Sequence, residues 1–235
     1  MYYHCWFVVM ISHVKEFRNT MIDVFDPKQD EHVGIVFDKP RSIDEDNESW
    51  IDRRNLALDW FDLFQELSHD IGFSVECFSF DSVQSHNKLL SSEVLRKLSR
   101  YNVVIALTEF SITSSLVQLV KKNPIGIRCA SLPGAERRMH DSVYLSDYKS
   151  IRIFTHNIKN FLDKGISANI SFSTGDEFVI DLRNRVGGAD DGDCRRPGSV
   201  INFPSGEGFI APYEGLDEEA RSEERRVGKE CATGC

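Results

Sequence analysis

Apolar and polar positions along the chain alternate between two periods, and the switch between them marks the elements. Phe17, Met21, Val24 and Phe25 recur at helical spacing, and Pro27 closes that run. Residues 32–37 form a short, β-branched apolar strand, and the polar stretch 38–49, with Pro40, predicts a loop. Residues 51–69 are amphipathic: Leu56, Trp60, Leu63, Phe64 and Leu67 share one stripe, and Gly72 ends the helix. A second strand is predicted over 73–80, a loop over 82–87, a short helix over 92–100 and a third strand over 102–107. Residues 111–122 predict a helix stopped by Pro124, and 125–132 a fourth strand turned by Pro133-Gly134. Strand and helix alternating at this spacing predict parallel βαβ units with right-handed crossovers. The near-continuous apolar strands predict a sheet covered on both faces.

After Ser150 the pattern changes. Residues 151–164 read as a helix. Residues 169–173 and 177–182 read as two short strands around Thr174-Gly175-Asp176, a hairpin signal. Residues 186–197 are a Gly-, Asp- and Arg-rich loop. The fold class is therefore α/β: a parallel α/β domain over 16–164, then a β-rich domain over 165–220. Residues 1–15 stand apart as an N-terminal extension. Their run 2–11 is apolar and aromatic, but no basic segment precedes it and no clear small-residue cleavage site follows. It is also far shorter than the ~20 residues a membrane span requires, so no membrane partner is expected.

Composition narrows the class. Hydrophobic residues make up 41% and charged residues 28%, as in ordinary soluble domains. A net charge of −9 repels phosphate backbones, which argues against a nucleic-acid partner. The six cysteines are scattered with no C-x-x-C pair, so neither a disulfide framework nor a zinc ribbon is legible, which fits a reducing cytoplasm. No G-x-G-x-x-G or P-loop pattern follows a strand. Asp38 and Glu109 follow strands, where open α/β sheets bind ligands; as plain residues they read as a loop Asp and a helix-start Glu. Thr108 or Ser111 reads as the cap of the next helix. His86 and His140 lack a His-x-x-x-His partner, Arg137-Arg138 reads as a surface pair, and Asp190, Asp191 and Asp193 read as paired with Arg195 and Arg196.

The densest pattern is Gly198-Ser-Val-Ile-Asn-Phe-Pro-Ser-Gly-Glu-Gly-Phe-Ile-Ala-Pro212. It places one carboxylate, Glu207, between two glycines in an otherwise apolar run. By pattern alone Glu207 reads first as a solvated turn residue and only second as a carboxylate awaiting a cation. The run resembles the N-x-P-x-G-E-x-(F/Y)-x-A-P signature of the aminopeptidase T/aminopeptidase S family of metallopeptidases. Asn202, Pro204, Gly206, Glu207, Phe209, Ala211 and Pro212 stand at the matching places. The lead-in Ala189-Asp-Asp-Gly-Asp-Cys-Arg-Arg-Pro-Gly198 and the blocks 108–114 and 131–139 also resemble segments of that group, in the same order. The likeness covers roughly residues 20–216.

The resemblance implies a metal-dependent aminopeptidase releasing N-terminal residues from small peptides, a homodimer, with Glu207 as a ligand to Zn, Co or Mn. It also reaches a ring-cleaving dioxygenase that uses non-haem Fe(II) on dihydroxypyridine. Two residues depart from the pattern: Gly208 follows the motif Glu where a larger residue is usual, and Phe203 stands where Leu is common. Residues 221–231 resemble a translated sequencing adapter, so 221–235 are expected to be a non-native tail and the chain a fragment. The family's remaining ligands lie downstream of Glu207. One carboxylate does not hold a catalytic zinc, which takes about three protein ligands, so the chain as written is expected to be inactive.

Overall fold

A computed structural model describes residues 4–123, 126–140, 142–211 and 225–227, with side chains for all of these except 4–14 and 225–227. Pro124 and Ile125, expected at a helix stop and a strand start, lie outside the described residues, as do Pro212 of the motif and most of the expected tail.

Helix α1 (His4–Phe25) is longer than the periodicity of residues 17–25 indicates and takes in most of the segment set apart as an extension. Phe17, Met21, Val24 and Phe25 are buried. Strand β1 (His32–Lys39) follows, then α2 (Glu48–Ile71) and β2 (Ser74–Asp81). Asn47 caps α2 by accepting from the Ser49 and Trp50 amides, and Gly72 closes it at φ 90°. Then come α3 (Ser92–Leu98), β3 (Val103–Thr108), α4 (Thr113–Lys122) and β4 (Arg128–Pro133). Every residue of β3 is buried, as a central parallel strand requires.

The sheet has the order β2-β1-β3-β4-β8, all parallel. Its fifth strand, β8 (Val200–Asn202), comes from the segment that the sequence pattern assigns to the second domain. Val200 and Ile201 supply the apolar positions, and the strand pairs with β4 from Cys129 to Ser131. Two cores flank the sheet. Phe17, Phe25, Trp60 and Phe64 pack with Ile35 and Ile105 on one face. Leu98 of α3 and Leu116 of α4 pack with Val36 and Val104 on the other. The expected parallel α/β layers are thus present.

Arg128 starts β4 with its side chain 2% exposed. Its guanidinium donates to the Phe25 and Asp26 carbonyls that end α1, and to both oxygens of Glu31.

By contacts the chain divides into two compact units: residues up to Arg152 with Gly192–Ser205, and Ile153–Asp191 with the chain from Gly206 on. The change falls inside α5 (Tyr148–Lys164), ahead of the composition shift near residue 165. The second unit holds the expected hairpin, β5 (Ser167–Ser171) and β6 (Glu177–Asp181), antiparallel about Gly175 at φ 87°. Strand β7 (Gly187–Asp190) lies within the segment read as loop and pairs antiparallel with β9 (Glu207–Ile210). Its Gly-Gly start hides it from a period-2 reading. Strand β10 (Arg225–Val227), inside the expected tail, pairs with β6.

Candidate functional site

The Glu207 motif is split between the two units. Asn202 ends β8 in the first, where its side chain accepts from Thr113 Oγ1 at 2.9 Å. Phe203 is buried and is followed by a cis bond to Pro204. Glu207 opens β9 in the second unit and is exposed. Its cross-strand partner is Asp190, and the Gly206 amide donates to the Asp190 carbonyl at 2.9 Å.

The register sets which way Glu207 points. A Cβ added at Gly208 would meet Ile158 Cγ2 at 2.5 Å and the Thr155 carbonyl at 3.2 Å, so β9 lies flat against α5 at that residue. Successive strand residues face opposite ways. Glu207 and Asp190 therefore project from the face turned away from α5. The departure at Gly208 has a packing reason: a side chain there would collide with α5. Gly208→Ala is expected to destabilise the second unit by about 1–3 kcal/mol, read as a lower urea midpoint.

On the α5 side, Asp191 pairs with His156 Nε2 at 2.8 Å. Asp193 binds Arg195, which holds its carboxyl at about 2, and this is the local pairing expected for the acidic cluster. Cys194 is buried, and burial pushes the Cys129 thiol up to about 12, so Cys129 presents no thiolate.

Two carboxylates in direct cross-strand register repel each other, and a divalent cation is one group that relieves such a pair. Among the described residues, however, no group of three or more His, Cys, Asp or Glu side chains is placed to hold a metal. A catalytic zinc takes three protein ligands. The described residues thus supply at most a corner of such a site, and no chemical step is assigned to it.

A second concentration of polar groups lies at the carboxyl end of the parallel sheet. The chain leaves β1 for β2 on one side and reaches β3 on the other, so the switch point lies between β1 and β3. Asp38, 1% exposed, ends the buried part of β1 and accepts from the Glu109 amide at 2.9 Å. Burial pushes its carboxyl up to about 6, against hydrogen bonds from the Glu109 amide and Ser82 and the nearby Arg53 charge. Arg53 of α2, 2% exposed, pairs with Glu109 at 2.5 Å.

Three sequence readings change here. Asp38 is a buried acceptor and not a solvated loop residue. Glu109 answers Arg53 and not the α4 dipole. Of the two capping candidates, Thr108 donates to the Phe110 carbonyl at 2.8 Å and does not cap α4, whereas the Ser111 hydroxyl accepts from the Thr113 amide at 3.4 Å although Ile112 holds the N-cap position. Arg53 carried no sequence signal, because an Arg inside an amphipathic helix reads as its wet face. Beside this cluster, Asn87, Ser111, Thr113, Gln118, Lys121 and Asn202 line an open polar groove of about 480 Å³. His86 accepts from the Ser111 amide at 3.1 Å, His140 stacks on Phe17 at 5.0 Å, and Arg137 pairs with Asp59.

No helix among the described residues is long and apolar enough to cross a membrane. No protein-family profile matches the chain, and no curated protein matches it. Among solved structures it is similar to 2,5-dihydroxypyridine dioxygenase from Pseudomonas putida KT2440, at a TM-score of 0.56 and 13% identity over 84% of this chain and 55% of that one. It also aligns with AmpT from Thermus thermophilus at a TM-score of 0.49 and 10% identity, over 87% of this chain and 62% of that one. The chain therefore spans well under the full length of either protein. The likeness to the dioxygenase is one of fold.

Proposed function

We propose that this chain is part of a metal-dependent hydrolase of the aminopeptidase T/S type and that Glu207 supplies one carboxylate to its metal site. The observation that carries the reading is the placement of Glu207: exposed at the head of β9, flanked by glycines and in register with Asp190. When bound, Zn, Co or Mn would polarise a scissile carbonyl and lower the pKa of a bound water. Glu207 would hold the cation by one carboxylate, and the other ligands belong to the longer protein. That protein would act in the cytoplasm as a homodimer, removing N-terminal residues from small peptides.

Equilibrium dialysis of the complete protein, which carries the other ligands, against Zn²⁺ or Mn²⁺ tests the ligand assignment without any activity assay. Glu207→Gln is expected to weaken uptake by at least about tenfold, the least that loss of a ligand's own supporting groups produces. Equal uptake by both proteins would end the assignment.

The fold match to the dioxygenase favours a second reading, in which the same scaffold holds a mononuclear Fe(II) and opens a dihydroxypyridine ring. Oxygen uptake by the complete protein that depends on Fe(II), without amino-acid-amide cleavage, would select it.

A further inference from the structure

The turn joining β3 to α4 is gripped from two sides. On one side the Glu109 amide donates to Asp38 Oδ1 at 2.9 Å. On the other, the Ser111 amide donates to His86 Nδ1 at 3.1 Å, and the His86 ring meets Phe110 edge-on with centroids 5.4 Å apart. Both acceptors are titratable side chains from remote segments, 71 and 25 residues away. The turn leads straight into the polar groove, since Ser111 lines it and its hydroxyl lies 2.9 Å from Thr113 Oγ1.

The geometry points to an acid-sensitive clamp: Asp38 and His86 hold the turn 109–111 by its backbone, and proton uptake at both loosens that hold beside the groove. The chemistry of the two grips gives the sign. An imidazole accepts at Nδ1 only when neutral; protonated, it presents N–H on both nitrogens and the Ser111 bond is lost. A carboxylate accepts through a charge-assisted bond, and protonation reduces it to a weaker neutral one. Acidification therefore weakens both bonds in the same direction.

The groups around each acceptor are specific. Arg53 from α2 and Glu109 itself are the charges facing Asp38, and the Ser82 hydroxyl faces it from the end of β2. The Ser111 amide and the Phe110 ring face His86. Burial pushes the Asp38 carboxyl up to about 6. An amide or hydroxyl acceptor would hold the turn equally well at every pH, so two titratable acceptors on one short turn make its hold conditional.

Amide hydrogen exchange on the full chain, corrected for intrinsic rates, tests this at about pH 7.5 and about pH 5, on either side of the Asp38 value of about 6. Protection of the Ser111 amide is expected to fall about tenfold on acidification, the worth of one hydrogen bond, and that of the Glu109 amide by less, because a protonated carboxyl still accepts. The Gly72 amide, bonded to the Ser68 carbonyl at the end of α2, is expected to stay unchanged. His86→Asn keeps an acceptor oxygen near the Nδ1 position without a titratable group, so it should hold Ser111 protected at both pH values. Asp38→Asn should remove the Glu109 step in the same way. Equal protection at both pH values in the unmodified chain would overturn the clamp, as would a fall that persists in the Asp38→Asn/His86→Asn double variant. If Asp38→Asn does not fold, His86→Asn decides alone: the Ser111 step must vanish while the Glu109 step remains.

Discussion

Arg128→Ala is expected to lower the folding stability of the first unit by about 3–5 kcal/mol, the penalty for removing one partner of a buried ion pair. The reason lies in what the guanidinium leaves behind. Glu31, with its side chain 18% exposed, would lose two hydrogen bonds, at 2.6 and 2.7 Å. The Phe25 carbonyl would lose donors at 3.3 and 3.1 Å, and it belongs to the last turn of α1, which has no intrahelical donor to replace them. The effect carries a pH signature. Burial raises the Glu31 carboxyl, but Arg128 and the Lys28 amide more than offset this and hold it below its ordinary value. A carboxyl depressed in the folded state adds stability above its unfolded pKa and loses it as the pH falls through the folded value. The unmodified chain should therefore lose this contribution below about pH 4.3, and Arg128→Ala should lack that step. Urea midpoints taken across that range measure both quantities. A change under about 1 kcal/mol, the value of a surface pair, would show that water replaces the guanidinium.

Arg128 also shows where a sequence stops being legible. The stripe through Leu56, Trp60 and Phe64 announces α2 because apolar spacing and burial are one physical fact. The unbroken run Val103–Thr108 announces a central strand for the same reason. Arg128 and Arg53 are buried as well, yet a charge in the sequence reads as surface. Their partners, Glu31 and Glu109, lie 97 and 56 residues away, and nothing local marks the pairing. Strands β7 and β8 failed for a different reason. Four residues beginning Gly-Gly and three residues after a loop carry too little alternation to register, and the place of β8 beside β4 is a product of folding at long range. Glu207 stood out through the proline and glycines around it, whereas the facing carboxylate, Asp190, emerges only from the β7–β9 register. The glycine after Glu207 looked like a departure from a signature; contact with Ile158 turns it into a requirement.

Phe203, the other departure, carries the second large effect. Its ring stacks on Tyr148 and Tyr144, with centroids at 5.0 and 5.4 Å, and meets Phe25 at 5.8 Å and Trp60 at 6.2 Å. Its amide donates to the Ser131 carbonyl at 2.9 Å, so the residue just past β8 is held by both backbone and ring. Phe203→Ala would open a void among four aromatic side chains that cannot all collapse inward, and about 3–5 kcal/mol of stability should go with it. Phe203→Leu, the residue usual in the resembling family, keeps most of the volume and should lose under about 1.5 kcal/mol. Denaturation of the two variants side by side gives the contrast. Equal losses would mean that stacking geometry, and not filled volume, fixes this segment. Losses below about 1 kcal/mol in both would mean that the backbone bond to Ser131 holds the end of β8 without the ring. Because Phe203 lies in the first unit and Glu207 in the second, Zn²⁺ uptake by the complete protein under native conditions separates folding from ligation. Phe203→Leu should bind as the unmodified protein does, whereas Glu207→Gln should lose binding at unchanged stability.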